Sequence, residues 1–152
     1  MRVIDGLDAL EALTGAELGA SEWVTVTQDM ISRFAEVTRD PQWIHVDGDR
    51  AARESPYGTT IAHGFLTLSL VPHFCSQIAE IRGVERAINY GVDKVRFPCP
   101  VRRDARVRGV QTLLTTTRVE SGTVRFTSRL VIEIEGETKP ACVAEMVTMV
   151  FA

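Results

Sequence analysis

Residues 61–83 read IAHGFLTLSLVPHFCSQIAEIRG, and this stretch decides the fold. Apolar side chains fall on almost every face of a helix drawn over it, which predicts one long helix surrounded by other elements. We expect this helix to begin at His63–Gly64, to kink at Pro72 and to end at Gly83. The stretch is about long enough to span a bilayer, but its histidines, glutamine and glutamate would be costly in lipid. It is therefore interpreted as a buried core helix.

Beyond this helix the hydrophobic period changes to that of a strand. Alternating apolar residues predict strands over residues 88–97, 105–117 and 124–134, with a bulge near Asp93–Lys94 where the phase slips. The last strand, 141–151, is apolar on both faces, which predicts a central position or an interface. A sheet that curls around one long helix satisfies both patterns. The sequence thus predicts an α+β protein with the hot-dog fold, an antiparallel sheet wrapped around a long central helix.

Two shorter helices are predicted before the apolar stretch. Thr27 is a suitable N-cap for the first, and Pro41 should end that helix at Asp40 because a residue before proline avoids helical geometry. Asp47 can cap the second. The segment from Asp40 to His45, between the two helices, is expected to be an irregular loop.

The composition narrows the class of protein. The chain has 152 residues, 45% of them hydrophobic, which fits one domain over residues 1–152. With 17 basic and 20 acidic residues the net charge is -3, and no basic excess favours nucleic acid as a partner. Three scattered cysteines without a Cys/His cluster argue against disulfides and a zinc site. With no uninterrupted apolar leader and no membrane span, the expected setting is cytoplasmic.

The residues that carry polar chemistry lie in two loops. A turn could direct the carboxylate of Asp40 and the imidazole of His45 at one water molecule, as an acid/base pair. Spacing alone favours a simpler reading, in which Asp40 ends a helix and His45 is a satisfied polar residue. Gly64, at the start of the core helix, can offer a free backbone N–H to a carbonyl oxygen, or can serve only for tight packing. His63 can contact a ligand or support the loop.

Two runs of sequence resemble a known family. FAEVTRDPQWIHVD at 34–47 and YGTTIAHGFL at 57–66 resemble the two-part motif of the MaoC-like hydratases, which are (R)-specific enoyl-CoA hydratases or 3-hydroxyacyl-thioester dehydratases. INYG at 88–91 and KVRFP at 94–98 are similar to the nodulation-protein-N-like branch, which includes mycobacterial dehydratases. The resemblance covers nearly the whole chain, and it implies one MaoC-like hot-dog domain.

The resemblance also implies an activity, the reversible syn hydration of trans-2-enoyl thioesters to (R)-3-hydroxyacyl thioesters. Asp40 and His45 would hold the catalytic water; His45 would take its proton as it attacks the β-carbon, and Asp40 would exchange a proton at the α-carbon. The N–H of Gly64 would bind the thioester oxygen. The remaining expected substrate-binding residues are Ala62, His63, Tyr90 and Arg96.

The resemblance implies no metal and no cofactor, with coenzyme A or an acyl-carrier protein as the carrier of the substrate. It also implies a homodimer. Three departures from the family pattern matter. Arg39 stands where many relatives have glycine, and Pro41-Gln42-Trp43 stands where many have Asn-Pro. Pro72 stands where some have a serine that helps the site. No serine role is therefore assigned.

Other functions remain open at this point. Many hot-dog acyl-CoA thioesterases rely on an acidic residue of the central helix, but residues 64–79 contain none. A non-catalytic acyl-thioester-binding subunit would not need both Asp40 and His45. A structural dimerisation module would explain the buried helix but not the polar loops.

Overall fold

A computed structural model describes residues 1–152. The elements in chain order are β1 (Arg2–Asp5), α1 (Gly6–Ala12), β2 (Glu17–Ala20), β3 (Val24–Thr25), α2 (Gln28–Thr38), α3 (Trp43–Val46), α4 (Gly48–Glu54), α5 (Gly64–Ser69), α6 (Val71–Ile78), β4 (Ala79–Arg82), β5 (Arg86–Arg96), β6 (Arg106–Glu120), β7 (Thr123–Ile134) and β8 (Cys142–Phe151).

One antiparallel sheet packs against the helices. Its strands follow the order β2-β6-β7-β8-β5, and the short β3 also pairs with β6. This confirms the α+β hot-dog prediction and the central position of β8, which lies between β7 and β5. The predicted bulge is present, because the register of β5 on β8 shifts between Asp93 and Arg96 and Lys94 has a φ of 52°. A second shift, between Asn89 and Gly91, was not predicted.

The central helix is shorter and more interrupted than predicted. It consists of α5 and α6, separated by Leu70, and Pro72 sits in the first turn of α6, where a missing N–H costs nothing. Residues 79–82 form β4 rather than the end of a helix, since they pair in parallel with β1. The helix is also not surrounded on every face as predicted, because Phe65 and His73 are exposed.

The core lies between the helices and the concave face of the sheet. Alternate residues of β6, β7 and β8 point toward α5 and α6, as the period of two requires. A larger cluster of buried residues joins α2, α5 and α6 to the sheet. A second cluster joins α6 to the N-terminal elements β1, α1 and β2, which the sequence pattern did not predict.

None of the helices has the length and apolar character that crossing a membrane requires.

Helices α2 and α4 begin as predicted. The side chain of Thr27 accepts a hydrogen bond from the Met30 N–H (3.3 Å), and that of Asp47 accepts one from the Arg50 N–H (2.9 Å). The segment from Asp40 to His45 is not wholly irregular, because His45 lies in the single turn α3. The prediction missed this turn because four residues carry too little periodicity to reveal a helix.

Helix α2 ends in a left-handed turn. Arg39 has a φ of 57°, its N–H bonds to the Glu36 carbonyl (3.3 Å), and the Asp40 N–H reaches back to the Ala35 carbonyl (3.0 Å). These two bonds form a Schellman motif, whose left-handed position normally holds glycine. The helix therefore ends at Thr38 through this motif, before Pro41 can act.

We predict that Arg39→Gly raises the free energy of unfolding by about 0.5 to 1 kcal/mol, because glycine adopts the left-handed conformation without steric cost. Chemical denaturation of both proteins measures the difference. The matched control is Arg33→Gly, an exposed position inside α2, which should lower stability by about 1 kcal/mol. Equal destabilisation by both changes would contradict the role given to the turn.

Candidate active site

The Schellman turn presents Asp40 at the surface of the molecule. Its side chain is 56% exposed, so the carboxylate can exchange protons with solvent. Pro41 follows at once and turns the chain toward α3, which returns His45 to the same region. The expected pairing of these two residues is thus present in the fold.

His45 is held by hydrogen bonds from several elements. Its Nδ1 lies 2.7 Å from the Ile61 carbonyl oxygen, and since a carbonyl only accepts, Nδ1 carries the proton. In the neutral ring Nε2 then has its lone pair free. The backbone is fixed as well, because the Ile61 N–H donates to the Ile44 carbonyl (3.1 Å) and the Gln28 amide donates to the His45 carbonyl (2.8 Å).

His63 contacts both Asp40 and His45 from the interior of the protein. It is 3% exposed, and its ring stacks on that of His45 with centroids 3.7 Å apart. Its Nε2 donates to the Asp40 backbone carbonyl (3.1 Å) and lies 3.8 Å from the Asp40 carboxylate. Nδ1 of the same ring is buried without a protein partner. His63 therefore supports the pair from below, and it does not serve as a side-chain cap of α5.

Burial lowers the pKa of His45 below its usual value of 6.5. The hydrogen bond to the Ile61 carbonyl raises the pKa, the neighbouring His63 lowers it, and the carboxylate of Asp40 raises it. Desolvation outweighs the opposing effects, so the ring is neutral at pH 7. A neutral imidazole with a free Nε2 is a competent general base.

Asp40, His45 and His63 place their oxygen and nitrogen atoms within 4.8 Å of one another, which raises the question of a metal. An ion about 2.0–2.1 Å from two imidazole nitrogens should lie close to both ring planes. The two rings are stacked with an interplanar angle of 25°, so their planes do not meet at that distance. Nε2 of His63 is also engaged with a carbonyl. The arrangement suits proton transfer better than metal coordination.

Gly64 follows His63 as the first residue of α5. The first N–H groups of a helix have no partner inside it. A Cβ at this position would lie 2.9 Å from the ring of Phe97, which is closer than packing allows. Glycine is therefore required for close approach, as the packing interpretation held, and its N–H remains a candidate for binding a carbonyl oxygen.

The other predicted site residues do not all lie near the cluster of Asp40, His45 and His63. Ala62 is buried next to His63 and donates its N–H to the Val101 carbonyl (2.8 Å), so it anchors the loop. The structure does not bring Tyr90 to the cluster: it lies on the outer face of the sheet with residues of β6, β7 and β8. Arg96 is exposed, and its guanidinium donates to the Val95 carbonyl (2.7 Å). Pro72, which stands where some relatives have a serine, is exposed.

A cavity of about 360 Å³ lies further along the central helix, between α6, β4 and the concave face of the sheet. None of the three clustered side chains lines it, but the helix that begins at the cluster continues as one of its walls. Most of the lining is apolar. The lining also includes two buried polar residues, Gln111 and Ser128, whose place in a cavity was not predicted. The sequence signal that could have indicated them is a polar residue at an inward-facing strand position.

A family model and two curated proteins match this chain. Residues 10–133 match the family model described as the MaoC-like domain. The chain is 48% identical over 147 residues to the 3-hydroxyacyl-thioester dehydratase Z of Mycobacterium tuberculosis, with 97% of both chains covered. It is 45% identical over 146 residues to nodulation protein N of Rhizobium meliloti, covering 94% of this chain and 89% of that protein.

A solved structure agrees in fold. The (R)-hydratase from A. caviae involved in PHA biosynthesis superimposes with a TM-score of 0.67 at 22% identity, covering 89% of this chain and 94% of the other. The family match spans most of the chain, and both curated relatives match nearly from end to end. The chain therefore belongs to the MaoC-like family of hydratases and dehydratases.

Proposed function

We propose that this hydro-lyase catalyses the reversible, (R)-specific hydration of trans-2-enoyl thioesters. The observation that carries the proposal is the His45 ring, fixed in one tautomer by the Ile61 carbonyl beside the Asp40 carboxylate. The names of the M. tuberculosis relative, a 3-hydroxyacyl-thioester dehydratase, and of the A. caviae (R)-hydratase support this reaction class.

In the hydration direction, His45 Nε2 accepts a proton from water as the oxygen attacks the β-carbon. The imidazolium passes this proton to the Asp40 carboxylate, which delivers it to the α-carbon, so that one water adds across the double bond. The transfer from His45 to Asp40 runs directly or through solvent, because the Asp40 carboxylate is half-exposed. An oxygen of Asp40 and a ring nitrogen of His45 lie within 4.8 Å of each other, a proximity that supports syn addition and a single product configuration.

The backbone N–H of Gly64 binds the thioester oxygen while enolate character develops there. His63 acts through the other two residues, since it holds the backbone of Asp40 and stacks on His45. No metal or redox group enters this proposal, because each step is a proton transfer or an addition. The carrier of the acyl group is coenzyme A or an acyl-carrier protein.

The proposal also covers the setting of the protein: a cytoplasmic enzyme whose residues 1–152 form one domain. Both core clusters pack against the same sheet, which supports one cooperative unit. A thioesterase of the hot-dog type is disfavoured because α5 and α6 carry no acidic side chain.

We predict that the protein hydrates crotonyl-CoA, followed as loss of enone absorbance, and that the product is the (R)-3-hydroxy isomer. Asp40→Asn and His45→Gln should each lower kcat/KM by about 10² to 10⁴-fold, the typical contribution of a general acid or base. The matched controls are Asp49→Asn and His73→Gln, which lie outside the cluster and should retain activity. An (S)-product, or release of free CoA without hydration, would overturn the assignment.

The pH dependence should report the state of His45. The base must be deprotonated, and burial lowers its pKa, so kcat/KM should hold until the pH falls below 6.5 and then decline. The titratable groups facing the ring are Asp40 and His63. Replacing His63 with phenylalanine removes its electrostatic effect and should move this limb to higher pH. A rate profile with an unmoved limb would contradict the role given to His63.

We further propose a homodimer that pairs through β5. This strand ends the sheet, so one edge is unpaired, and it exposes Ile88, Tyr90 and Val92. Light scattering should give twice the chain mass at micromolar concentration, and the double change of Ile88 and Tyr90 to lysine should give the monomer. A wild-type monomer would contradict this proposal, and the hydration assay would be unaffected as a test of the chemistry.

A further inference from the structure

The cavity behind α6 contains a polar group that its apolar surroundings do not explain. Gln111 is 5% exposed and points inward from β6. Its Nε2 donates to the Ser128 hydroxyl (3.1 Å), but its Oε1 is buried with no protein partner. An unpaired buried acceptor is costly, so such a group indicates that something binds there.

The pairing requirement does not depend on how the amide is oriented. If the amide were turned round, Oε1 would meet the Ser128 hydroxyl and Nε2 would lack a partner, so one end is unpaired in either case. In the orientation described, Ser128 accepts from the amide and still has its own hydroxyl proton to donate. The pair then offers both an acceptor and a donor within one small region.

Further polar side chains lead from this pair toward the edge of the sheet. Thr148 of β8 and Asn89 of β5 are direct cross-strand partners, and both line the same cavity. Asn89 is exposed, whereas Ser128 and Gln111 are buried, so polarity extends from the rim into the interior. The remaining walls are mostly apolar.

The lining also limits the charge of what can bind. No lysine, arginine, aspartate or glutamate lines the cavity. A carboxylate, phosphate or ammonium group would lose its hydration there without gaining an opposite charge. A hydroxyl group, in contrast, is neutral and both donates and accepts one hydrogen bond, which matches the Gln111–Ser128 pair.

We propose that the cavity binds an acyl chain that carries a hydroxyl group far from the thioester, with that hydroxyl bonded to Gln111 and Ser128. The acyl nature of the ligand rests on the proposed function; the hydroxyl rests on the unpaired amide. Helix rise places the cavity-lining residues Pro72, Cys75 and Ser76 about 12 to 18 Å along the chain from Gly64, so the recognised group lies well beyond the reacting carbons.

The test measures binding of saturated thioesters, which cannot be hydrated, so that turnover plays no part. Dodecanoyl-CoA is compared by calorimetry with its monohydroxy isomers, substituted at each carbon from C6 to C12. At least one isomer should bind tenfold or more tightly than the unsubstituted chain, because only that isomer pairs the buried amide. Equal affinity across the series would overturn the proposal.

Variants then identify the residue responsible. Gln111→Met keeps the approximate volume but removes the hydrogen bonds, and it should bring the preferred isomer to within twofold of dodecanoyl-CoA. Ser128→Ala should reduce the preference as well, and it provides the same test if the methionine variant does not fold. The matched control is Met146→Leu, an apolar change in the same lining that should leave the preference intact. Equal weakening of both ligands by Gln111→Met would count against the proposal.

The same measurements separate this inference from the proposed reaction. Crotonyl-CoA is too short to reach Gln111, so its hydration tests the chemistry alone. If crotonyl-CoA is not hydrated but a hydroxylated chain binds preferentially, the reaction is wrong and the binding site stands. If crotonyl-CoA is hydrated and no isomer is preferred, the reaction stands and this inference is wrong.

Discussion

The arrangement of the candidate catalytic residues depends on a pair of hydrogen bonds that join Ile44 and His45 to Ile61. The Ile61 N–H donates to the Ile44 carbonyl, and the Ile61 carbonyl accepts from Nδ1 of the histidine. One residue thus joins the two loops that flank α4, and it fixes both the place and the tautomer of His45. Because Ile61 lies two residues before His63, these hydrogen bonds also position the His63 side chain. The His63 ring stacks on His45 and bonds to the backbone carbonyl of Asp40.

Asp40 and His45 differ in exposure, and this difference is what the proposed chemistry needs. His45 is buried, so it stays neutral and can accept a proton, whereas Asp40 is half-exposed at the end of a left-handed turn. In the proposed reaction the proton taken by His45 passes on through Asp40, whose exposure gives it contact with solvent. The non-glycine residue at Arg39 therefore bears conformational strain immediately before the residue it positions.

The sheet and the proximity of Asp40 to His45 could be predicted from the sequence, because the strands have strong hydrophobic periodicity and the family motif is long. The alternation of β7 and the two apolar faces of β8 gave the sheet, and the two-part motif brought Asp40 and His45 together. The parallel pair of β1 with β4 was missed because it joins residues far apart in sequence, which no local period records. For the same reason residues 79–82 were assigned to a helix, although their neighbours in space require a strand.

The role of the buried polar residues that line the cavity could not be predicted from the sequence either, although the residues themselves interrupt an apolar pattern. A serine or glutamine at an inward strand position reads as a weak break in an alternating pattern, and only the fold shows that Gln111 and Ser128 meet. The contact between these two side chains suggests a binding role for both. The sheet tolerates two buried polar residues in an apolar wall, and one bond between them leaves part of their hydrogen-bonding capacity unused. Since burial of unpaired polar groups costs stability, the proposed ligand accounts for both residues better than the fold does.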